Sequence, residues 1–572
     1  MAEEVDVDVL VVGSGAGGLA AAVAARSFGM SVLVAEKSHW IGGTTAISGG
    51  FLWIPNNPVS RADGVEDSLD DARTYLRHEA GNHFDAERVD SFLRAGPEAV
   101  EFFVAKTQVQ FEAASAFSDY HPGAPGGRPG GRSIKAKPYD AAALGDALAL
   151  LRPPLPELTF AGLMVGSGPE MKHFFNATRS FRSAAYVVGR LAGHARDMLF
   201  HGRGMTLTNG NALAARLLRS ALDLGVTLRT QAPAVELLRG SRGVDGAVLR
   251  VDGRDLSVRA RRGVVLAAGG FPQDRTRRKR LFAHEDTADG HNSPAPGTNT
   301  GDGLRLGESV GAAVEDGYPN AAAWVPVSRV PRADGTSGVF PHFIDRAKPG
   351  LIAVRRNGRR FVNEADSYHD FVQALFRAEG AGSSPHAFLV VDHAFIRRFG
   401  LGFVKPFPMP VGPHVRSGYV ARAGSIDALA RQAGIDPASL AETVRLWNRD
   451  AAAGTDTLFG KGGTAYNRIN GDPAFAPNPC MAPIAAPPFY ALRVVVGDLG
   501  TFAGLRTDGH ARVLAADGTP IAGLYAVGND MASLMGGNYP GGGITLGPAL
   551  TFGYVAAKDM AARAADAARA AD

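Results

Sequence analysis

Short, mostly apolar runs that end in glycine set the rhythm of the N-terminal part of the chain. Residues 7–12 (Val-Asp-Val-Leu-Val-Val) predict a short buried strand, and residues 19–28 have the Ala-rich composition of a helix. Between them stands Gly13-Ser14-Gly15-Ala16-Gly17-Gly18, and residues 32–35 predict a second strand, closed by Glu36. Residues 263–270 predict a further strand running into a glycine turn, and residues 523–530 hold a third segment of this type. From about residue 325 to 492 the pattern changes to Pro-rich turns, such as 405–410, and two amphipathic helical stretches, 426–433 and 440–450. An Ala-rich helix is predicted from Gly553 onward.

Strand, glycine turn, helix and second strand with a terminal acid make up a βαβ unit that binds a dinucleotide. Gly13 permits the tight turn, Gly15 lets a pyrophosphate approach the backbone, and Gly18 lets helix and strand pack closely. The helix N-terminus offers unpaired N–H groups to the phosphates. Glu36 is placed to accept from ribose hydroxyls and disfavours a 2′-phosphate. The fold class expected is therefore α/β. A Rossmann-like domain over residues 1–324 is interrupted by an α+β substrate-capping domain over 325–492 and completed by 493–572.

Composition narrows the function classes. The net charge of +4, from 60 basic and 56 acidic residues, is too balanced for a nucleic-acid binder. The basic runs 259–262 and 275–280 read as solvated surface, the second with peripheral membrane contact as the alternative. Cys480 is the sole cysteine, which excludes an intrachain disulfide and a CxxC pair. His201, His342 and His369 lack the partners of a metal site, so no metal is expected. With no basic-then-apolar leader and no run approaching about 18 apolar residues, a cytoplasmic protein is expected.

After Glu36 comes Lys37, then Gly43-Thr44-Thr45 and Ser48-Gly49-Gly50, small residues and hydroxyls that can lie against a flat ring system. With Gly269, with Asp302 in the 297–303 segment, and with Gly528-Asn529, these dispersed motifs resemble the fumarate reductase and succinate dehydrogenase flavoprotein family. The resemblance implies an FAD-binding domain. Some members tether FAD to a His beside the Thr-rich loop. Gly43-Thr44 stands at the matching place here, which implies non-covalent FAD.

Desaturation beside a ketone needs a hydride acceptor, a base for the proton alpha to the carbonyl, and donors for the enolate oxygen. The segment 536–548 offers the Tyr539 hydroxyl and, four residues on, the Gly543 N–H on a Pro-Gly turn, with Thr545 and Leu546 leading into a helix. It resembles the signature of 3-ketosteroid Δ1-dehydrogenases, in which this tyrosine and glycine bind the C3 ketone. Two more tyrosines match that family. The resemblance makes Tyr368 the base and Tyr120 the tyrosine that assists it. It implies 1,2-desaturation of a 3-ketosteroid, with the C2 proton taken by Tyr368 and the C1 hydride passing to flavin N5. It also implies an electron acceptor, quinone or dye-like, that the sequence does not specify.

Against compact members the chain carries a longer stretch between about 133 and 203, with Phe160, Met164, Phe174, Phe175 and Tyr186. It reads first as a helical elaboration, with a cover for the substrate mouth or a membrane-docking element as alternatives. Tyr490 reads as structural, and Arg203 as either structural or part of a cofactor loop. The rival functions are a Δ4-(5α)-dehydrogenase, a fumarate-type reductase, and a flavin- or steroid-binding protein without turnover. Fumarate-type sites hold a dicarboxylate with Arg and His, whereas these motifs supply tyrosines.

Overall fold

The structure is a computed structural model and describes residues 3–571 apart from 242 and 381–383. Strand β1 (Glu3–Val12) lies inside an eight-stranded sheet and is followed by helix α1 (Ala16–Ser27) and strand β2 (Val32–Ala35). Parallel pairing matches Val9 with Val32 on one side and with Gly263 of β3 (Arg254–Leu266) on the other. A strand flanked in this way is covered on both faces, so it is apolar without alternation. Val9, Leu10 and Val11 are fully buried, each stabilising the sheet by roughly 1.5–3 kcal/mol. Beyond β3 the sheet continues through β4 (Pro520–Ala526) to Arg512–Leu514, and beyond β2 to Thr227–Arg229.

The elements start earlier than apolar pattern alone predicts. β1 begins at Glu3 because residues 3–6 pair through backbone with residues 256–259, which requires no apolar side chain. α1 takes in Gly17 and Gly18, and at Gly18 a Cβ would sit 2.1 Å from the Gly13 carbonyl oxygen. Only glycine lets the helix lie this close to the turn.

A six-stranded antiparallel sheet forms a second body of structure, in the order Ser337–Pro341, Ala322–Pro331, Phe489–Thr501, His386–Val391, Leu351–Val354, with Ala421–Ala423 also on Phe489–Thr501. The boundaries expected near 325 and 492 each fall within one of its strands. The helices Ile426–Ala433 and Pro437–Ala453 place Leu429, Leu440, Val444 and Trp447 against Ile352 and Val390, a separate apolar cluster.

The stretch 133–203 opens with a strand, Ser133–Ala136, paired with Phe51–Trp53 and Phe111–Ala113. It then runs through short turns into α2 (Pro169–Phe175) and α3 (Phe181–His201), so it is helical mainly in its second half. α3 is capped by the Ser180 side chain and carries exposed apolar residues, among them Phe181, Val188, Leu199 and Phe200. Arg203 donates to the Leu148 carbonyl.

Helix α4 (Tyr368–Glu379) is capped by Ser367, and the chain's last helix is α5 (Leu546–Ala571). α5 starts seven residues before Gly553, the expected start. Pro548 is no obstacle in a first turn, where its missing N–H has no intrahelical partner to lose. The basic runs are paired with carboxylates: Arg259 with Glu4, Arg262 with Asp8, Arg277 with Glu308 and Arg280 with Asp316. Among the described residues no helix is long and apolar enough to cross a membrane.

Candidate active site

A cavity of about 820 Å³ runs from the glycine turn after β1 to the second sheet. Every residue expected at the cofactor lines it except Gly18, whose place is in the packing just described. A Cβ at Gly15 would project into the cavity, with nothing nearer than Thr45 Oγ1 at 3.7 Å. Thr45 Oγ1 also accepts from the Ala16 N–H (2.9 Å), which ties the hydroxyl loop to the N-terminus of α1.

The polar groups of this half are ordered by one another. Glu36 is buried and accepts from the Ser14 N–H (3.0 Å), the Ser14 hydroxyl (2.6 Å) and the Ser38 N–H (2.7 Å). A carboxylate offers about four lone-pair sites, so one remains for a ribose hydroxyl. Lys37 reaches across to Asp302 (2.7 Å) and Thr300 (2.6 Å), so two residues expected to touch cofactor independently form one pair. Asp530, the last residue of the 523–530 segment, accepts from the Ala268 N–H (2.5 Å) and the Gly270 N–H (2.9 Å), fastening the turn after β3 to the turn after β4. A buried glycine cradle with an acid at the end of the second strand and a hydroxyl-lined loop fits FAD.

At the other half three tyrosines from distant segments meet. The Tyr120 ring stacks on Tyr539 with centroids 5.5 Å apart and planes 10° from parallel. Tyr368 stands edge-on to both, at 5.6 Å from Tyr120 and 5.1 Å from Tyr539. The Tyr120 hydroxyl donates to that of Tyr368 at 3.0 Å. Burial drives the phenols of Tyr120 and Tyr368 well above their usual range. Burial lifts Tyr539 to about 12, with hydrogen bonds to Tyr368 and Thr545 pulling against it. Tyr368 is the first residue of α4, where the helix dipole favours negative charge.

Each tyrosine is held from behind. The Tyr120 N–H and the Tyr75 hydroxyl both donate to the Pro540 carbonyl (2.9 and 2.7 Å), so the Tyr120 and Tyr539 segments share an anchor. Asp119 takes the Trp53 indole N–H (2.8 Å) and the Arg132 guanidinium (2.9 Å). His121 bridges Glu79 and Asp370, both at 2.9 Å. Burial opposes a charge on His121, but the two carboxylates outweigh it and raise its pKa to about 11.

Gly543 has φ +103°, and a Cβ there would fall 2.5 Å from the Phe51 carbonyl carbon. Its carbonyl accepts from the Trp53 and Gly547 N–H groups (3.1 and 2.8 Å). Its own N–H has no partner among the described residues and lies on the cavity wall. A buried, unpaired N–H is rare and marks a place for a ligand acceptor.

Residue for residue, a model of the FAD binding domain family matches positions 8–546. A 3-oxosteroid 1-dehydrogenase of Mycobacterium tuberculosis is 36% identical, over 97% of this chain and 98% of that protein. The solved 3-ketosteroid delta1-dehydrogenase of Sterolibacterium denitrificans, in complex with 1,4-androstadiene-3,17-dione, is 37% identical with a TM-score of 0.89, covering 98% of this chain and 100% of that one. The chain belongs to the 3-oxosteroid 1-dehydrogenase family. A further relative is the 4-oxocyclohex-2-ene-1-carboxylate 5-dehydrogenase of Sinomonas cyclohexanicum, 41% identical over 97% of this chain and 93% of that protein. This family member is thus an FAD-dependent oxidoreductase acting on CH–CH donors.

Sequence reasoning missed other cavity residues of this dehydrogenase. Tyr466 packs on Tyr120 with centroids 4.6 Å apart, and Phe343 stands edge-on to Tyr368 at 5.4 Å. The buried Lys348 lines the cavity too, whereas Phe175, which reaches it from α2, belongs to the stretch for which a cover of the substrate mouth is an alternative reading. Tyr466, Phe343 and Lys348 lie in no motif, so only the fold could have found them. Tyr490 is buried in its strand against His393 (3.1 Å), away from the cavity.

Proposed function

We propose that the enzyme desaturates the C1–C2 bond of a 3-ketosteroid. The observation that carries this reading is the meeting of Tyr120, Tyr368 and Tyr539 in one cavity with Gly543, whose N–H is unpaired among the described residues, and with the dinucleotide cradle. The substrate carbonyl sits between the Tyr539 hydroxyl and the Gly543 N–H. Their two hydrogen bonds stabilise the enolate oxygen and acidify the C2 hydrogens. Tyr368 takes the C2 proton, and the Tyr120 hydroxyl, donating to the Tyr368 oxygen, stabilises the phenolate that accepts it. FAD, held without a covalent bond by the residues around Gly13, Glu36 and Thr45, supplies the hydride acceptor for C1. The part of the chain from 325 to 492 caps the substrate. A quinone or dye-like acceptor reoxidises the enzyme. The exposed apolar residues of α3 support a cytoplasmic protein that touches a membrane peripherally.

A second reading, dehydrogenation of a monocyclic oxo acid, is favoured by the Sinomonas relative, which is more similar in sequence than the steroid enzymes named above. The test is anaerobic mixing of the purified yellow protein with 4-androstene-3,17-dione, following flavin absorbance and identifying the product by mass. Bleaching with loss of two hydrogens from C1 and C2 supports the steroid reading. A flavin that stays oxidised with the dione but bleaches with 4-oxocyclohex-2-ene-1-carboxylate supports the second.

A further inference from the structure

Lys348 is only 8% exposed and lines the cavity, yet among the described residues no carboxylate lies within ion-pair distance of its ammonium. Two of its three N–H groups are used, by the carbonyls of Asn470 (2.7 Å) and Gly471 (2.9 Å). The charge stands 5.5 Å from the Phe175 ring centroid. The nearby carboxylates are engaged elsewhere, Asp472 by Arg398 (2.8 Å) and Asp345 by His342 (2.5 Å).

The rest of this wall adds positive charge. Lys172 from α2 and Arg468 both line the cavity, and among the described residues neither forms an ion pair. Lys135 is the exception, being neutralised by Glu112 at 2.8 Å. A buried ammonium without a counter-ion is costly unless a ligand supplies one. Burial already pulls its pKa down to about 8. A neutral, wholly apolar ligand would leave that cost in place, whereas an anion beside Lys348 removes it and gains a charge-assisted hydrogen bond.

We propose that Lys348, with Lys172 at the rim, receives a carboxylate of the substrate, so that the preferred substrate is a cyclic ketone that also carries an acid group. This rests on the ketone-binding reading given above and adds the second recognition point. The acid is carried either by a steroid side chain or by a single ring.

The test uses the FAD-loaded enzyme and two acid and methyl-ester pairs, 3-oxochol-4-en-24-oate and 4-oxocyclohex-2-ene-1-carboxylate, with 4-androstene-3,17-dione as the neutral ketone. In at least one pair the acid is expected to exceed its ester in kcat/KM by about ten-fold or more, and the pair that does so tells steroid from single ring. Lys348→Met is expected to collapse that ratio to within about two-fold, Lys348→Arg to preserve most of it, and Lys172→Gln to lower it in part. An acid-to-ester ratio near one in both pairs, with the ketones still reducing flavin, overturns the carboxylate site and leaves the ketone reading standing. If no ketone reduces the flavin, the ketone reading falls. The carboxylate site is then judged by titrating cyclohexanecarboxylate and cholanoate against the flavin spectrum. A saturable perturbation lost in Lys348→Met supports it, and no perturbation overturns it.

Discussion

The hydroxyls of Tyr120 and Tyr368 stand 3.0 Å apart although 248 residues separate them in the chain. The contact joins a loop of the first part of the chain to the first residue of α4, which packs on the strand Ala322–Pro331 of the second sheet. On the mechanism proposed above, acid–base function belongs to this pair and not to one side chain.

Removing the Tyr368 hydroxyl should therefore separate binding from chemistry. In Tyr368→Phe we expect kcat to fall by about 10²–10⁴, the usual contribution of a positioned general base. Ketone binding, read as a shift of the flavin spectrum, should persist. A variant that retains more than about a tenth of wild-type kcat would remove Tyr368 from the base role. Tyr120→Phe should lower kcat less and move the pH profile to higher pH.

The pH dependence follows from the same burial. The phenols of Tyr120 and Tyr368 are held above their usual range, so at neutral pH both are protonated and the phenolate form is scarce. The rate should rise from pH 7 through pH 9, while the ketone remains neutral throughout. Stopped-flow flavin reduction across that range checks this, and a maximum below pH 7 would count against a tyrosine base.

Tyr539→Phe and Gly543→Ala should fail for different reasons. The first deletes one enolate donor and should lower flavin reduction by about 10²–10³ without changing thermal stability much. The second forces a Cβ to 2.5 Å from the Phe51 carbonyl carbon at φ +103°. Strain of about 1–3 kcal/mol should then lower the melting temperature as well as the activity. Differential scanning of the two variants beside the wild type distinguishes them.

His121, behind the tyrosines, offers a test of stability. Its folded-state pKa, about 11, lies above its ordinary value, so its contribution is fully present below about pH 6.5 and is lost as pH rises through 11. His121→Gln should therefore reduce the melting temperature most at pH 6 and least near pH 10. A deficit that is independent of pH would mean that packing, not charge, is what His121 supplies.

The parts of this site that could be read from sequence are those whose chemistry is local. The cradle was legible because a glycine turn, a helix start and a terminal acid must follow one another within some thirty residues. That Tyr539 and Gly543 share one cavity wall was legible because they lie four residues apart in a single motif that resembles the family signature. Tyr466 and Lys348 were not, since a tyrosine after a threonine cap and a lysine after a short turn look the same in any chain. Their position comes from how the second sheet and α2 fold over the cavity. The start of α5 was misplaced because Gly-Pro reads as a turn, although a helix tolerates both residues before its ladder begins.

The Pro540 carbonyl, which receives both the Tyr75 hydroxyl and the Tyr120 N–H, has a consequence for biosynthesis. Residues 75 and 120 leave the ribosome more than four hundred residues before their common anchor. A nascent chain can form the βαβ cradle early, from local contacts, but has nothing to hold the tyrosines in register until its last few dozen residues emerge. Catalytic competence is therefore a late event in the life of the molecule, and a chain cut short near residue 530 would lose that anchor together with helix α5, which packs on α1 of the cradle, and would be inert.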